Sequence, residues 1–281
     1  MSLSFSITLF ALVFFVLAGL PQLWRKGGEP WHPFFLLSEG GSPWPGLLEA
    51  TALMFVAFTG YARIATLGEE VRTPERTIPR AIIASLIVSA LLYLSVGAVA
   101  IAAIGPQALA DAVRTGVAPL VTTARTFDSS VTQLVISVGA ITAMLGVALN
   151  LILGLSRVVL AMGRRADVPR VLAKVDASGS PSFAVIAVGI AIAALVLIGN
   201  VEVTWSFSAF TVLIYYAITN IAALRLPKEK RLYSPLIAWL GLAACLALAF
   251  FVERQIWVVG LGLIAAGLGW HAAVQRLAKA R

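Results

Sequence analysis

Long uncharged runs alternate with short charged ones along the whole chain, and the run lengths predict membrane-spanning helices. Residues 1–24 carry no charge and include ITLFALVFFVLAGL. Uncharged runs recur at 81–110, 129–156, 177–201, 203–224 and 232–252, and 255–275 is interrupted only by His271. The first of these predicts a span over about 81–104. The run 129–156 is longer than a perpendicular crossing needs, so its helix tilts or overhangs one face. Residues 47–80, LLEATALMFVAFTGYARIATLGEEVRTPERTIPR, depart from the pattern. Only the uncharged stretch 50–62 separates Glu49 from Arg63. At about 1.5 Å per residue it makes roughly 20 Å of helix, short of the ~30 Å hydrocarbon core. With this segment the pattern predicts about eight spans, an all-α integral membrane protein.

The short segment is centred on Ala57-Phe58-Thr59-Gly60-Tyr61. Two readings are open for its glycine. Gly60 lies between a hydroxyl and an aromatic, where a helix can unwind at membrane depth and turn its peptide groups toward a solute cavity. The alternative is a tilted, continuous helix with a packing glycine, a residue frequent in membrane helices.

Composition supports the membrane reading. The 281 residues are 60% hydrophobic and 12% charged, with a mean hydropathy of +0.94. A soluble domain carries about 25% charged residues. Residues 1–24 lack the basic start of a signal peptide and are expected to form a first membrane helix. A proline- and glycine-rich loop follows to Pro45, and its Trp24, Trp31 and Trp44 fit an interfacial aromatic belt. Between Glu69 and Arg80 charge is dense, Pro74 and Pro79 are expected to prevent one continuous helix, and Thr77 is the expected N-cap of the next span.

The net charge of +8 follows from topology. Eight spans put both termini on one side. The connections on that side, within 63–80, 157–174, 225–231 and 276–281, hold sixteen of the 21 basic residues. Such a bias places both termini in the cytoplasm, with the plasma (inner) membrane as the expected location, and requires no nucleic-acid partner. The single cysteine, Cys245, lies in an apolar run, and His32 and His271 belong to no cluster with metal-ligand spacing. No metal or cofactor is expected, no enzyme signature is found, and the absence of GxxxxGK[ST] argues against ATP.

The central stretch resembles the amino acid permeases of the amino acid–polyamine–organocation (APC) superfamily. The matching residues are Phe55, Ala57, Phe58, Gly60 and Tyr61, then Glu69-Glu70, Thr73-Pro74, Arg76 and Ile78-Pro79-Arg80-Ala81. Ser156-Arg157, Ala161-Met162-Gly163-Arg164, Pro169-Arg170 and Pro181 resemble the end of that family's eighth helix and the loop after it. The resemblance implies a partial LeuT-like inverted-repeat fold: residues 1–24 as the last helix of a truncated first repeat, 47–226 as the second five-helix repeat, and 232–277 as two additional helices. It implies secondary transport of an amino acid or related amine by alternating access, coupled to a proton or sodium ion or run as exchange. By position, the carbonyls of Val56, Ala57, Phe58 and Thr59 would accept from a substrate ammonium. Gly60 would permit the break, and Phe58 or Tyr61 would wall the pocket. The family's helices one to four have no counterpart here. The alternative function is therefore a truncated, non-transporting membrane subunit or remnant, needing a chain that supplies those helices.

Outside the short segment, Arg63 is a candidate coupling residue, or a side chain snorkelling to the cytoplasmic face. Glu69 and Glu70 are candidates for a cytoplasmic gate pairing with Arg157 or Arg164, or else a solvated helix end. Asn150, with Thr142 and Gly146 deep in the long helix, either joins helices by hydrogen bonding or contributes to an ion site.

Overall fold

The computed structural model describes residues 2–26, 42–60, 71, 73–127, 129–176 and 179–279, and among them every regular element is helical. In chain order these are α1 (Ser2–Lys26), α2 (Trp44–Phe55) running into a 3-10 turn at Val56–Phe58, α3 (Pro74–Arg114) and α4 (Pro119–Arg125). Next come α5 (Ser130–Arg164), a 3-10 turn at Arg170–Ala173, α6 (Ser182–Ile198) and α7 (Val201–Leu224). A 3-10 turn at Lys228–Lys230, α8 (Pro235–Ala249) and α9 (Arg254–Lys279) complete the series.

Each uncharged run holds a helix, but the helices are unequal. Four of them, α1, α3, α5 and α7, are long and apolar enough to cross a membrane. α8 and α9 meet that test only as a pair, bent by 115° at a short break, and the apolar helices at 44–58 and 182–197 are shorter. Among the described residues, length and composition thus identify four or five spans where run counting expects about eight. The physical reason is local termination. α2 stops at a backbone break, Gly199 adopts extended backbone at the end of α6, and a turn before Glu253 and Arg254 ends α8. In the most apolar windows of the four long helices only 11% to 28% of residues are buried. Apolar side chains left outside to that extent suit a hydrocarbon solvent and no aqueous one. The protein is a multi-pass, all-α membrane protein.

The chain divides into two compact units, Met1–Leu36 with Tyr61–Leu155, and Leu37–Gly60 with Ser156–Arg281. In the first unit α1 lies along α3, and α4 packs on α3, around a core of Ala11, Phe15, Val99, Ala100, Ala124 and Ile136. Phe15 is fully buried and meets the Phe127 ring at 5.4 Å. Glycines set the approach: a Cβ on Gly19 would collide with Val99, and one on Gly139 with Ala11. α3 is kinked at Gly105, whose φ of +81° precedes Pro106. The proline ring disfavours α-geometry in the residue before it, and a glycine there can turn away at little cost, so the kink falls at the expected end of the 81–104 span.

The start of α3 corrects an expectation. The helix begins at Pro74 and continues through Pro79, while Thr77 lies inside it and Thr73 occupies the N-cap position. Pro74 stands in the first turn, where a missing N–H costs nothing, and Pro79 forfeits a single bond one turn later.

In the second unit α7 is the central post, packed against α2, α8 and α9. Its buried residues, Ser206, Ala209, Phe210, Leu213, Tyr216 and Ala217, recur at three- and four-residue intervals and form one continuous stripe. Asn220 fits over Gly241 of α8, where an added Cβ would lie 2.7 Å from Oδ1, and the Phe210 ring occupies the space a Cβ on Gly260 would need. The Asn200 side chain caps α7 by accepting from the Glu202 N–H at 2.9 Å. At the end of α5, Asp167 N–H donates to the Met162 carbonyl and Ala166 N–H to that of Gly163, a Schellman closure with Ala166 at φ +61°.

Candidate functional site

The candidate site is the point where α2 stops being a helix. The α-helix ends at Phe55, the chain tightens into a 3-10 turn over Val56–Phe58 with Val56 still at φ −59°, ψ −37°, and Thr59 is extended (φ −77°, ψ 157°). Gly60 then takes φ +122°. That region is open only to glycine at low cost. Among the described residues nothing lies within 4 Å of where a Cβ on Gly60 would sit. The helix is therefore interrupted at this position, and the glycine supplies a backbone conformation there without a close approach to any described residue.

Thr59 closes the turn twice. Its N–H donates to the Val56 carbonyl at 3.1 Å, and its Oγ1 hydroxyl donates to the same oxygen at 2.7 Å. A carbonyl oxygen has two lone pairs, and both are engaged here. The expectation that all four carbonyls from Val56 to Thr59 face a substrate is thus narrowed in this conformation, because that of Val56 is already occupied.

The segment is half-buried from Phe55 to Thr59, and Gly60 is exposed. Its neighbours come from α7. Tyr216 meets Phe55 edge-on at 5.5 Å and Tyr215 at 5.3 Å, making a short aromatic run beside the break. Trp205, one turn into α7, donates its indole Nε1–H to the Leu53 carbonyl at 3.0 Å, joining residues 152 positions apart. Composition alone gives no sign of that pairing. A donor-bearing aromatic inside an apolar span was the one signal available.

The other candidates are placed as follows. Tyr61, Arg63, Glu69 and Glu70 lie outside the described residues. Arg157 is exposed, and its neighbour Ser156 is buried. Asn150 is half-buried and, with Ser4, Thr8, Thr142 and Gly146, lines a groove of about 260 Å³ between α1 and α5. Hydroxyls in that groove turn onto their own helices, Thr8 to the Ser4 carbonyl and Thr142 to that of Val138. Among the described residues no group of three or more His, Cys, Asp or Glu side chains converges.

Comparison with known proteins agrees with this architecture. The family described as amino acid permease matches residues 3–278. An uncharacterized transporter of Mycobacterium tuberculosis is 42% identical over 224 residues, covering 79% of this chain and 50% of that protein. The serine/threonine exchanger SteT of Bacillus subtilis is 29% identical over 82% of this chain and 52% of its own length. The branched-chain amino acid permease BcaP of Bacillus subtilis is 31% identical over 52% of this chain and 29% of its own. The chain spans about half the length of the first two, and these relatives are named as transporters and not as enzymes. With a break in a short membrane helix, a lipid-facing helical exterior and a family match along nearly its whole length, this chain belongs to the amino acid permease family.

Proposed function

We propose that the chain contributes to secondary transport of an amino acid or related amine by alternating access, with the substrate's charged groups held at residues 56–61. The observation that carries this reading is the break itself. Peptide groups at Thr59 and Gly60 leave helical geometry at the end of a half-buried segment whose Phe55 meets the aromatic run of α7. Inside a bilayer, non-helical backbone is tolerated where it is buried in protein or lines a cavity. Broken helices of this kind present dipoles and carbonyls to small charged solutes.

In this reading residues 47–226 form the second five-helix repeat, Gly60 permits the break, and Phe58 and Tyr61 wall the site. Arg63, Glu69, Glu70, Arg157 and Asn150 are the positions at which gating and ion coupling are tested. Both termini face the cytoplasm of a plasma (inner) membrane, from the distribution of basic residues. The names of the serine/threonine exchanger and the branched-chain amino acid permease supply the first substrates to try, with proton coupling, sodium coupling and exchange as the modes to separate. A second reading rests on the half-length match: a membrane subunit that works only with a partner chain supplying further helices.

Reconstitution into liposomes tests both. The expected result is binding or uptake of radiolabelled serine, threonine or leucine, by the chain alone or with a co-expressed segment matching the other half of its relatives. Uptake only in the second arm selects the subunit reading. Binding in neither arm across a full amino acid and polyamine panel refutes transport.

A further inference from the structure

The connection from α7 to α8 folds around a cavity that the transport reading leaves unused. α7 ends at Leu224, and a helix end leaves its last carbonyls without helical donors. Arg231 returns to them: its Nε–H donates to the Leu226 carbonyl and its Nη2 to that of Leu224, each at 2.8 Å. Two such bonds hold the planar guanidinium in one orientation, a fork suited to an oxyanion. Among the described residues its Nη1 has no partner. Arg231 is half-buried and lines a cavity of about 290 Å³ with Asn220, Tyr233 and Ser234, and with the apolar Leu226 and Ile237. Asn220 is already engaged, since its Nδ2 donates to the Tyr216 carbonyl at 2.9 Å. Ser234 Oγ accepts from the Leu236 N–H at 3.3 Å, which leaves its hydroxyl proton to be donated. In sequence, residues 225–231 hold Arg225, Lys228, Lys230 and Arg231 against a single acid, Glu229, which is exposed and forms no ion pair with a described residue.

We propose that this cavity binds the headgroup of an anionic phospholipid, with Arg231 and the Ser234 hydroxyl donating to phosphate oxygens and Leu226 and Ile237 lying along the start of an acyl chain. α7 is long and apolar enough to cross a membrane, so a cavity at its end stands at headgroup level. Basic pockets between membrane helices at that level take anionic headgroups. The exposed Tyr233 and Ile237 beside the guanidinium match both parts of a lipid, whereas a free phosphate would use the donors alone. The lipid would bridge the end of α7 and the start of α8. The site requires that the chain lie in a bilayer, and does not require that residues 56–60 bind a solute.

Native mass spectrometry of the full chain tests this, titrating phosphatidylglycerol or phosphatidylcholine of the same acyl chains into detergent micelles. About 0.2 M ammonium acetate screens exposed charges beyond about 8 Å. One phosphatidylglycerol is expected to bind about ten-fold more tightly than phosphatidylcholine, the worth of a charge-assisted contact. Arg231→Gln is expected to abolish that preference. Arg225→Gln, an exposed basic position that does not line the cavity, is expected to change it by less than about two-fold. Ile237→Trp crowds the cavity and leaves both carbonyl bonds of Arg231 in place, so phosphatidylglycerol binding is expected to fall about ten-fold; it decides the question should Arg231→Gln not fold. Equal retention of the two lipids by the parent overturns the proposal, as does an unchanged preference in folded Arg231→Gln or an equal loss in Arg225→Gln. Unchanged binding in Ile237→Trp also overturns it. Displacement of the lipid by millimolar inorganic phosphate would identify a site for a soluble anion and overturn the lipid assignment.

Discussion

Replacing Gly60 by alanine is the most direct perturbation of the break, because the structure separates its backbone effect from any packing effect. No atom of a described residue lies within 4 Å of the added Cβ, so none of them collides with it. The cost comes from φ +122°, a conformation that penalises a non-glycine residue by about 2 kcal/mol. Alanine also gains about 1 kcal/mol over glycine if the helix continues through the position. Together these move the balance between broken and continuous helix by about 3 kcal/mol, or roughly 100-fold. Hydrogen exchange at residues 57–60 should slow accordingly, and the affinity of any amino acid bound at the break should fall by a similar factor. Gly97→Ala is the control: Gly97 lies inside α3 with nothing within 4 Å, so the same chemical change there leaves both readouts in place. Exchange at 57–60 indistinguishable between Gly60→Ala and the parent would refute the argument that glycine is needed for its backbone.

Three further outcomes follow from single contacts. Ala166→Gly relieves the positive φ at the Schellman closure of α5 and should stabilise the protein by about 1 kcal/mol in an SDS titration, whereas a loss of stability would contradict the φ of +61°. Gly260→Ala drives a methyl group into the Phe210 ring, which is fully buried, and should cost about 1–3 kcal/mol by the same titration; Gly262→Ala, with open space around it, should not. Thr59→Val keeps the side-chain volume and removes the hydroxyl bond to Val56, so the broken form should lose about 1 kcal/mol and, by the same balance as in Gly60→Ala, exchange at residues 57–60 should slow by about five-fold.

Much of the architecture is legible in run lengths, because each uncharged run has only a helix to form in a solvent without hydrogen-bond partners. The end of the 81–104 span was legible because Gly105-Pro106 disfavours α-geometry at a residue free to turn away. The interruption of α2 was legible too, since charge leaves the segment too short to cross and Gly60 supplies a residue able to turn. Less visible was where each helix begins and how far it runs. Thr73, not Thr77, precedes α3, and two prolines near a helix start proved compatible with one helix. Counting runs as spans does not reveal that an extended glycine ends α6 and a polar turn ends α8.

By itself the sequence determined that this is a helical membrane protein with one helix unlike the rest, because hydrophobic run length and backbone preference act locally and along the chain. Tertiary structure alone decided which polar group meets which: Thr59 occupying the Val56 carbonyl twice, Tyr216 set against Phe55, and Trp205 reaching Leu53 across 152 residues. A hydrogen bond needs a distance near 3 Å and one direction. Whether two distant side chains meet that condition depends on how α7 is seated by its buried stripe, which no local pattern encodes.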